Sequence, residues 1–353
     1  MATFEIIKKN DNNKWNEIVK SFPDYDVYYL NEYIQPFLYI DEVEPMLINF
    51  RGKQMELAYV VEKSDVADFK PFMGKLEKAK FFDLSTPYGY GGPLVKNYNH
   101  DDMKLFFTEL NKWAQEENII SQFIRFHPLS ENHKYFSEFS DIKNLKKTVK
   151  ISLDNEELVY KNMDPKCRNM VKKALKNGIK IVIDNSIEAQ DKFVNLYKKT
   201  MQRNNANEYY YFNDKFFKEL FLLLGPNYNL FNAIYKEKTI CSAIIFNCNK
   251  KLHYHLSAGD REYMHMAPNN LLIYEAACFG TKNKYEEFHL GGGTGIEDSL
   301  LSFKKSFNKH GLINFHIGRN IFDIIKYNEL MQLRKTLNTN FNTENNHMIG
   351  YRA

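Results

Sequence analysis

The sequence predicts an α/β (α+β) fold arranged as two consecutive domains with mixed, largely antiparallel sheets. Three observations predict it. The 353 residues are enough for two domains of ordinary size. Short stretches rich in β-branched and aromatic residues are interleaved along the whole chain with stretches of helical spacing. The order of these stretches in the first half returns in the second: strand, helix, several strands, helix, strand, helix, strand. No obvious sequence repeat accompanies it. The expected domains are residues 1–155 and 156–320, followed by a C-terminal helix and polar tail at 321–353.

Residues 4–8 read as a strand and 12–20 as a helix closed near Pro23. Residues 44–50 and 55–62 read as two strands about a turn at Arg51-Gly52-Lys53. A strand at 81–84 enters the turn-rich segment 86–93. The helix expected over 101–117 places Met103, Phe106, Phe107, Leu110 and Trp113 on one face. Strands at 122–126 and 146–153 end the first half. In the second, Asp164-Pro165 opens a helix, because proline at a first-turn position lacks only an N–H that the helix leaves unpaired. Gly178 closes it. A strand at 179–183, helices at 187–202 and 214–224, and three strands at 228–235, 239–247 and 251–257 follow. Their short connections predict antiparallel pairing. A helix from Pro268 with Gly280 as its stop, a strand at 288–290, a helix at 299–308 and a strand at 313–317 complete the repeat. Beyond Asn320 the expectation is a short helix over 321–333 and a mobile, asparagine-rich tail.

Composition excludes several classes. Apolar residues make up 44% and charged residues 26%, a globular balance. No run approaches the roughly 18 apolar residues of a membrane span, and the N-terminus lacks a signal-peptide pattern. The expected location is therefore the cytoplasm. Cys167, Cys241, Cys248 and Cys278 have no zinc spacing and are read as reduced structural thiols. His253 and His255 alternate on a strand without an evident third ligand, so no metal is expected. The net charge of +4 is uneven: residues 143–180 hold 11 basic and four acidic residues, a local +7 that leaves −3 elsewhere. Such an excess suits an anionic ligand or a solvated lysine-rich helix alike.

Four stretches could carry chemistry. In the helix 299–308, the 100° wheel clusters Leu300, Phe303 and Phe307 and sets Lys304 among them, with Lys305 toward the polar side. An ammonium on a core-facing stripe needs an anion or a polar cavity, or must snorkel out. In a cleft it could stabilise the oxyanion of an acyl-transfer intermediate. Gly291-Gly292-Gly293-Thr294-Gly295 precedes that helix, either as a flexible turn or as backbone open to a ligand; it fits neither a Walker loop nor a dinucleotide fingerprint. On the helix 166–177, Cys167, Met170, Val171, Ala174 and Leu175 form an apolar side. Arg168, Lys172 and Lys176 recur on another, with Asn169 near the start, an arrangement suited to phosphate. Tyr88, Gly91 and Gly92 lie in the turn 86–93, where tyrosines could close a cleft. No serine, cysteine or histidine stands in a nucleophile motif, so an amine would attack an activated acyl donor directly.

The order of motifs resembles the Fem-type (FemABX) acyltransferases within the wider GNAT superfamily, over about residues 20–320. The matching stretches are Thr86-Pro87-Tyr88-Gly89-Tyr90-Gly91-Gly92-Pro93, Ile124-Arg125-Phe126-His127-Pro128, Arg168 through Gly178, Tyr254-His255-Leu256-Ser257, Pro268-Asn269-Asn270-Leu271-Leu272 and Phe303-Lys304-Lys305-Ser306-Phe307. The resemblance implies two tandem GNAT-like domains. Fem-type enzymes add an amino acid from aminoacyl-tRNA to an amine of a peptidoglycan precursor; related members of surface-polysaccharide pathways use acyl-CoA and act on amino sugars. By this resemblance Lys304, after Phe303, contacts the reacting centre. Arg168, Asn169 and Lys172 face a nucleotide-sugar diphosphate, and Tyr254 lines the acceptor site. The implied activity is N-acyl transfer to a nucleotide-linked amino sugar or cell-envelope precursor, with acyl-CoA or, alternatively, aminoacyl-tRNA as cosubstrate and no tightly bound cofactor. A non-catalytic nucleotide-sugar binding module is the reading from another class. Two departures stand out. The coiled-coil arm of some Fem-type enzymes is absent, and residues 259–268 lack the glycine-rich pyrophosphate loop of acetyl-CoA-dependent relatives. Residues 88–93 are the nearest equivalent in the first half.

Overall fold

Thr3–Lys8 forms β1 and Asn12–Ser21 forms α1, close to the strand expected over 4–8 and the helix expected over 12–20. After the one-turn helix α2 (Asn31–Ile34), strands β2 (Val43–Arg51) and β3 (Glu56–Asp65) make the expected antiparallel pair. The turn between them is held from outside: the Asp102 carboxylate accepts the backbone N–H groups of Lys53, Gln54 and Met55 at 3.0, 2.8 and 2.9 Å. Strands β4 (Phe82–Ser85) and β5 (Pro93–Lys96) flank the turn-rich segment, then α3 (His100–Glu116) and β6 (Ile119–Arg125) follow. Met103, Phe106, Phe107 and Leu110 of α3 are all buried, and Trp113 packs at the edge of their cluster.

Next come β7 (Asp141–Ser152), α4 (Glu156–Asn162), α5 (Pro165–Lys176), β8 (Lys180–Ile183), α6 (Ile187–Arg203), α7 (Asp214–Leu224), β9 (Tyr228–Tyr235), β10 (Lys238–Cys248) and β11 (Lys251–Gly259). Then α8 (Pro268–Lys282), β12 (Glu287–Gly292), α9 (Ser299–Lys305), β13 (Leu312–Ile321) and α10 (Ile324–Leu337) complete the chain. This computed structural model describes every residue except Met1, Thr294, Ile296 and Glu297. Thr294 of the glycine-rich stretch therefore lies outside the described residues. Among the described residues no helix is long and apolar enough to cross a membrane.

Two units emerge, one of Met1–Leu145 with Phe315–Ala353 and one of Lys146–Asn314. In the first, the strands run in the order β1-β2-β3-β4-β6-β13, with β5 also on β3. In the second the order is β8-β9-β10-β11-β12-β7. The two orders correspond strand for strand. Each strand order has one parallel pair, β4 with β6 and β11 with β12, among antiparallel neighbours. The last strand of each is the exception to sequence order. β7 follows the first unit in sequence yet pairs with β12, and β13 follows the second yet pairs with β6. The units thus part at 145/146 and 314/315, where the sequence reading set 155/156 and 320/321. Strand alternation shows that a strand exists; which partner completes its ladder is decided by long-range pairing.

Four local expectations change. Gly280 does not stop α8, which runs on to Lys282. A Cβ at Gly280 would stand 2.6 Å from Leu153 Cδ1 and 2.9 Å from Leu252 Cδ1, so the glycine lets the helix lie close to the sheet. Leu175 and Leu300 are 52% and 39% exposed, off the buried sides of their helices. The C-terminal segment is packed: Phe341, Met348, Ile349 and Tyr351 are buried. Arg334 donates to the carbonyls of Tyr351 (2.9 Å) and Ala353 (2.7 Å), and Arg352 Nε donates to Asp83 (2.6 Å). The one-turn α2, the short β5 and the seven-residue α4 are too brief for periodicity to reveal.

Candidate functional site

In the second unit β11 and β12 run parallel for only three residue pairs, Lys251–Glu287, Leu252–Phe288 and His253–His289. There the ladder between them stops. Both strands are irregular at that point: β11 slips register on β10 between Ile244 and Ile245, and β12 slips on β7 between His289 and Gly291. Gly291 has φ +73°, a left-handed backbone that glycine adopts without penalty. Sheet irregularities of this kind re-aim side chains and free backbone groups at sites.

Past the break, Tyr254 donates its hydroxyl to Asn269 Oδ1 at 3.0 Å, at the start of α8. Burial pushes the phenol well above its ordinary range, so it stays protonated. Lys304 reaches the same place from α9. Its Nζ donates to the Gly292 carbonyl at 2.7 Å and lies 5.9 Å from the centre of the Tyr254 ring, within cation–π range. The helical wheel is thereby sharpened. The buried stripe is Leu301, Lys304, Phe307 and Asn308, with Lys304 at its centre, while Lys305 is exposed. Lys304 is only 8% exposed. Burial, and next the neighbouring Lys146 ammonium, lower its pKa from 10.5 to about 8, with Asp298 pulling the other way.

Lys146, a residue of β7 that sequence reasoning did not single out, donates Nζ to the next carbonyl, Gly293, at 2.7 Å. Burial lowers its pKa too, again opposed by Asp298. Asp298 starts α9, accepting Leu301 N at 2.8 Å and Gly295 N at 2.7 Å. A Cβ at Gly293 would fall 2.1 Å from Asp298 Oδ1, and one at Gly292 would fall 2.9 Å from the Lys147 carbonyl, so both close approaches need glycine. Lys146 was legible only as one charge in the basic run 143–180.

The remaining sequence-predicted residues of this unit stand apart from the pair of lysines in their contacts. Phe303 is half-buried and meets Phe307 edge-on at 5.2 Å. Arg168 turns back on the end of α4: Nη1 donates to the carbonyls of Met163 (2.9 Å), Lys161 (3.3 Å) and Tyr160 (3.5 Å), and the guanidinium lies over the Tyr160 ring. Asn169 and Lys172 are exposed on α5. Cys167, on the buried side of that helix, accepts from Asn270 Nδ2 at 3.5 Å, and burial raises its thiol pKa.

Tyr88, Gly91 and Gly92 belong to the first unit. Tyr88 stacks on Phe37 at 5.2 Å, and its carbonyl accepts the Tyr33 hydroxyl at 2.8 Å. Gly91 donates its N–H to the Arg125 carbonyl (2.8 Å), and its own carbonyl accepts Tyr29 and Asn132 (2.9 and 2.8 Å). Gly92 has φ +86°, and a Cβ there would strike Asn132 and Phe126 at 2.8 Å. The segment is an aromatic turn tied by these contacts to the rest of the first unit. A groove of about 590 Å³ between α6 and α7, lined by Ile187, Val194, Phe217, Phe221 and Leu222, includes none of the sequence-predicted site residues.

Residues 162–304 match the family model for an acetyltransferase (GNAT) domain. No curated protein matches the chain in sequence. Among solved structures the chain is similar to FemX, with a TM-score of 0.69 and 13% identity over 93% of this chain and 99% of that one. It is also similar to L-PGS from Bacillus licheniformis, with a TM-score of 0.57 and 10% identity over 94% and 98% of the two chains. A third similar structure is the C-terminal domain of a putative lysylphosphatidylglycerol synthetase from Agrobacterium fabrum, with a TM-score of 0.55 and 11% identity over 88% and 92%. At these identities the likeness is one of fold.

Proposed function

We propose that this chain, whose residues 162–304 match the family model for an acetyltransferase (GNAT) domain and whose fold is similar to that of FemX, is an N-acyltransferase acting on a primary amine. The acceptor we infer is a nucleotide-linked amino sugar or other cell-envelope precursor, and the donor an acyl-CoA. The observation that carries this reading is the Lys304 ammonium, buried where the β11–β12 ladder ends and facing the Tyr254 ring.

In the proposed step the acceptor nitrogen attacks the acyl carbonyl carbon. The C–N bond forms as the carbonyl π pair moves to oxygen, and the Lys304 ammonium stabilises that charge. Such a donor is worth most where water is excluded. The oxygen pair then returns, the bond to the leaving group breaks with its electrons, and the nitrogen gives its proton to water or to a substrate phosphate. Arg168, anchored through Nη1, offers Nε and Nη2 to a phosphate; Lys172 and Asn169 extend that role on the exposed face of α5. Tyr254 and Phe303 shape the substrate's surroundings. The test is Lys304→Met. It is expected to abolish transfer with the circular dichroism spectrum unchanged; near-normal turnover would end the proposal.

A second donor, aminoacyl-tRNA, is favoured by one observation. Lys161, Lys166, Lys172, Lys173, Lys176 and Lys180 are all exposed along α4, α5 and the start of β8. Phosphate-tracking lysines would give binding that weakens steeply with salt. Transfer in an extract that ribonuclease abolishes would support this donor, and absence of tRNA binding at low salt would remove it.

A further inference from the structure

We propose that Lys146 and Lys304 together form a binding site for one anionic oxygen group of the substrate, a phosphate or a carboxylate, at the turn that ends β12. The inference rests on the acyltransfer reading only in placing substrate at this turn.

The two side chains come from elements far apart in sequence and end on adjacent carbonyls, Lys304 on Gly292 and Lys146 on Gly293, each at 2.7 Å. An ammonium has three N–H donors. Among the described residues each of these has that single hydrogen-bond acceptor, so two donors remain on each. Among the described residues, the titratable groups facing the pair are Tyr254 from β11, whose hydroxyl is given to Asn269, and Asp298 at the start of α9. Asp298 brings one negative charge against two positive ones, and both its oxygens already accept backbone N–H groups. Among the described residues the cluster is therefore left with one positive charge in excess, in a place where Lys304 is almost wholly buried. Isolated buried charge is costly and is relieved by a paired counter-charge. Of the charged groups nearby, Lys146 is the one that most disfavours the Lys304 proton. An anion set against both ammonium groups would remove that penalty and meet the unused donors.

The experiment follows the thermal stability of the whole chain at pH 7 while inorganic phosphate, or in a second arm acetate, replaces chloride at constant ionic strength. The expected result is a saturable rise in Tm in at least one arm. The apparent Kd should be at least tenfold weaker in Lys146→Met and in Lys304→Met, and unchanged in Lys305→Met, which removes an exposed charge. A response to phosphate alone assigns a phosphate-bearing substrate group, and a response to acetate alone a carboxylate. Without anion, the Lys146→Met and Lys304→Met variants should both melt at or above the wild-type temperature; Lys146→Gln serves if the methionine variant does not fold. The inference is overturned if neither anion gives a saturable response, if Lys146→Met binds as wild type does, or if Lys305→Met loses as much. Loss of turnover in Lys304→Met with unaltered anion binding in Lys146→Met would sink this inference alone. Retained turnover in Lys304→Met with the anion site intact would sink the acyltransfer reading alone.

Discussion

Lys304 is held charged below about pH 8 at an energetic cost, and removing it should show that cost directly. Its pKa in the folded protein is about 8 against an ordinary 10.5. At about 1.4 kcal/mol per pH unit, that difference amounts to about 3 kcal/mol of folding free energy at neutral pH. The sign follows from proton counting. Between about pH 8 and 10.5 the unfolded chain keeps the Lys304 proton while the folded chain has lost it. Stability contributed by this group therefore rises with pH across that window, and the full penalty is present below it. Lys304→Met removes the titration and adds a constant from the methionine's own packing. Urea unfolding of both proteins from pH 7 to pH 10 separates the two effects, because the constant cancels when the difference is followed against pH. The variant's advantage should shrink by about 2–3 kcal/mol over that range, most of the full effect. A difference that stays flat with pH would refute the buried, tuned ammonium, whatever the variant's activity.

Gly280→Ala puts a methyl within 2.6 Å of Leu153 Cδ1 and 2.9 Å of Leu252 Cδ1. Overpacking of this kind is expected to cost about 1–3 kcal/mol in urea unfolding, and an unchanged midpoint would mean that α8 has room to move. Deleting residues 350–353 removes fully buried Tyr351, the Arg352–Asp83 bond and both carbonyl acceptors of buried Arg334. Tm should fall by many degrees, while an unaffected Tm would show that the segment does not hold the first unit. Arg168→Ala strips donors from the carbonyls of Tyr160, Lys161 and Met163 and should destabilise by about 1–3 kcal/mol. Loss of stability with unaltered acceptor KM would leave Arg168 a structural brace; a raised KM beyond the stability effect supports its phosphate role.

Most of the elements were legible in the sequence because their signals are local. The apolar spacing of Met103, Phe106, Phe107 and Leu110 marks α3, the Asp164-Pro165 start marks α5, and alternation with short turns marks β9, β10 and β11 as antiparallel neighbours. The wheel over α9 was enough to turn Lys304 inward and Lys305 outward, since a helix of known period fixes relative direction whatever surrounds it. It misjudged Leu300 because period alone does not say where the centre of the buried face falls. Only the tertiary structure decided the pairings and contacts that join distant segments. β7 and β13 look alike as strands, and their exchanged places in the two strand orders follow from ladders completed across the length of the chain. Lys146 became part of the site because β7 pairs with β12 beside the glycine turn, and Arg168 became a brace because α5 folds back on the end of α4. Sequence period reports which way a side chain points; what it points at is set by long-range packing, and at this site that is where two lysines come to share one turn.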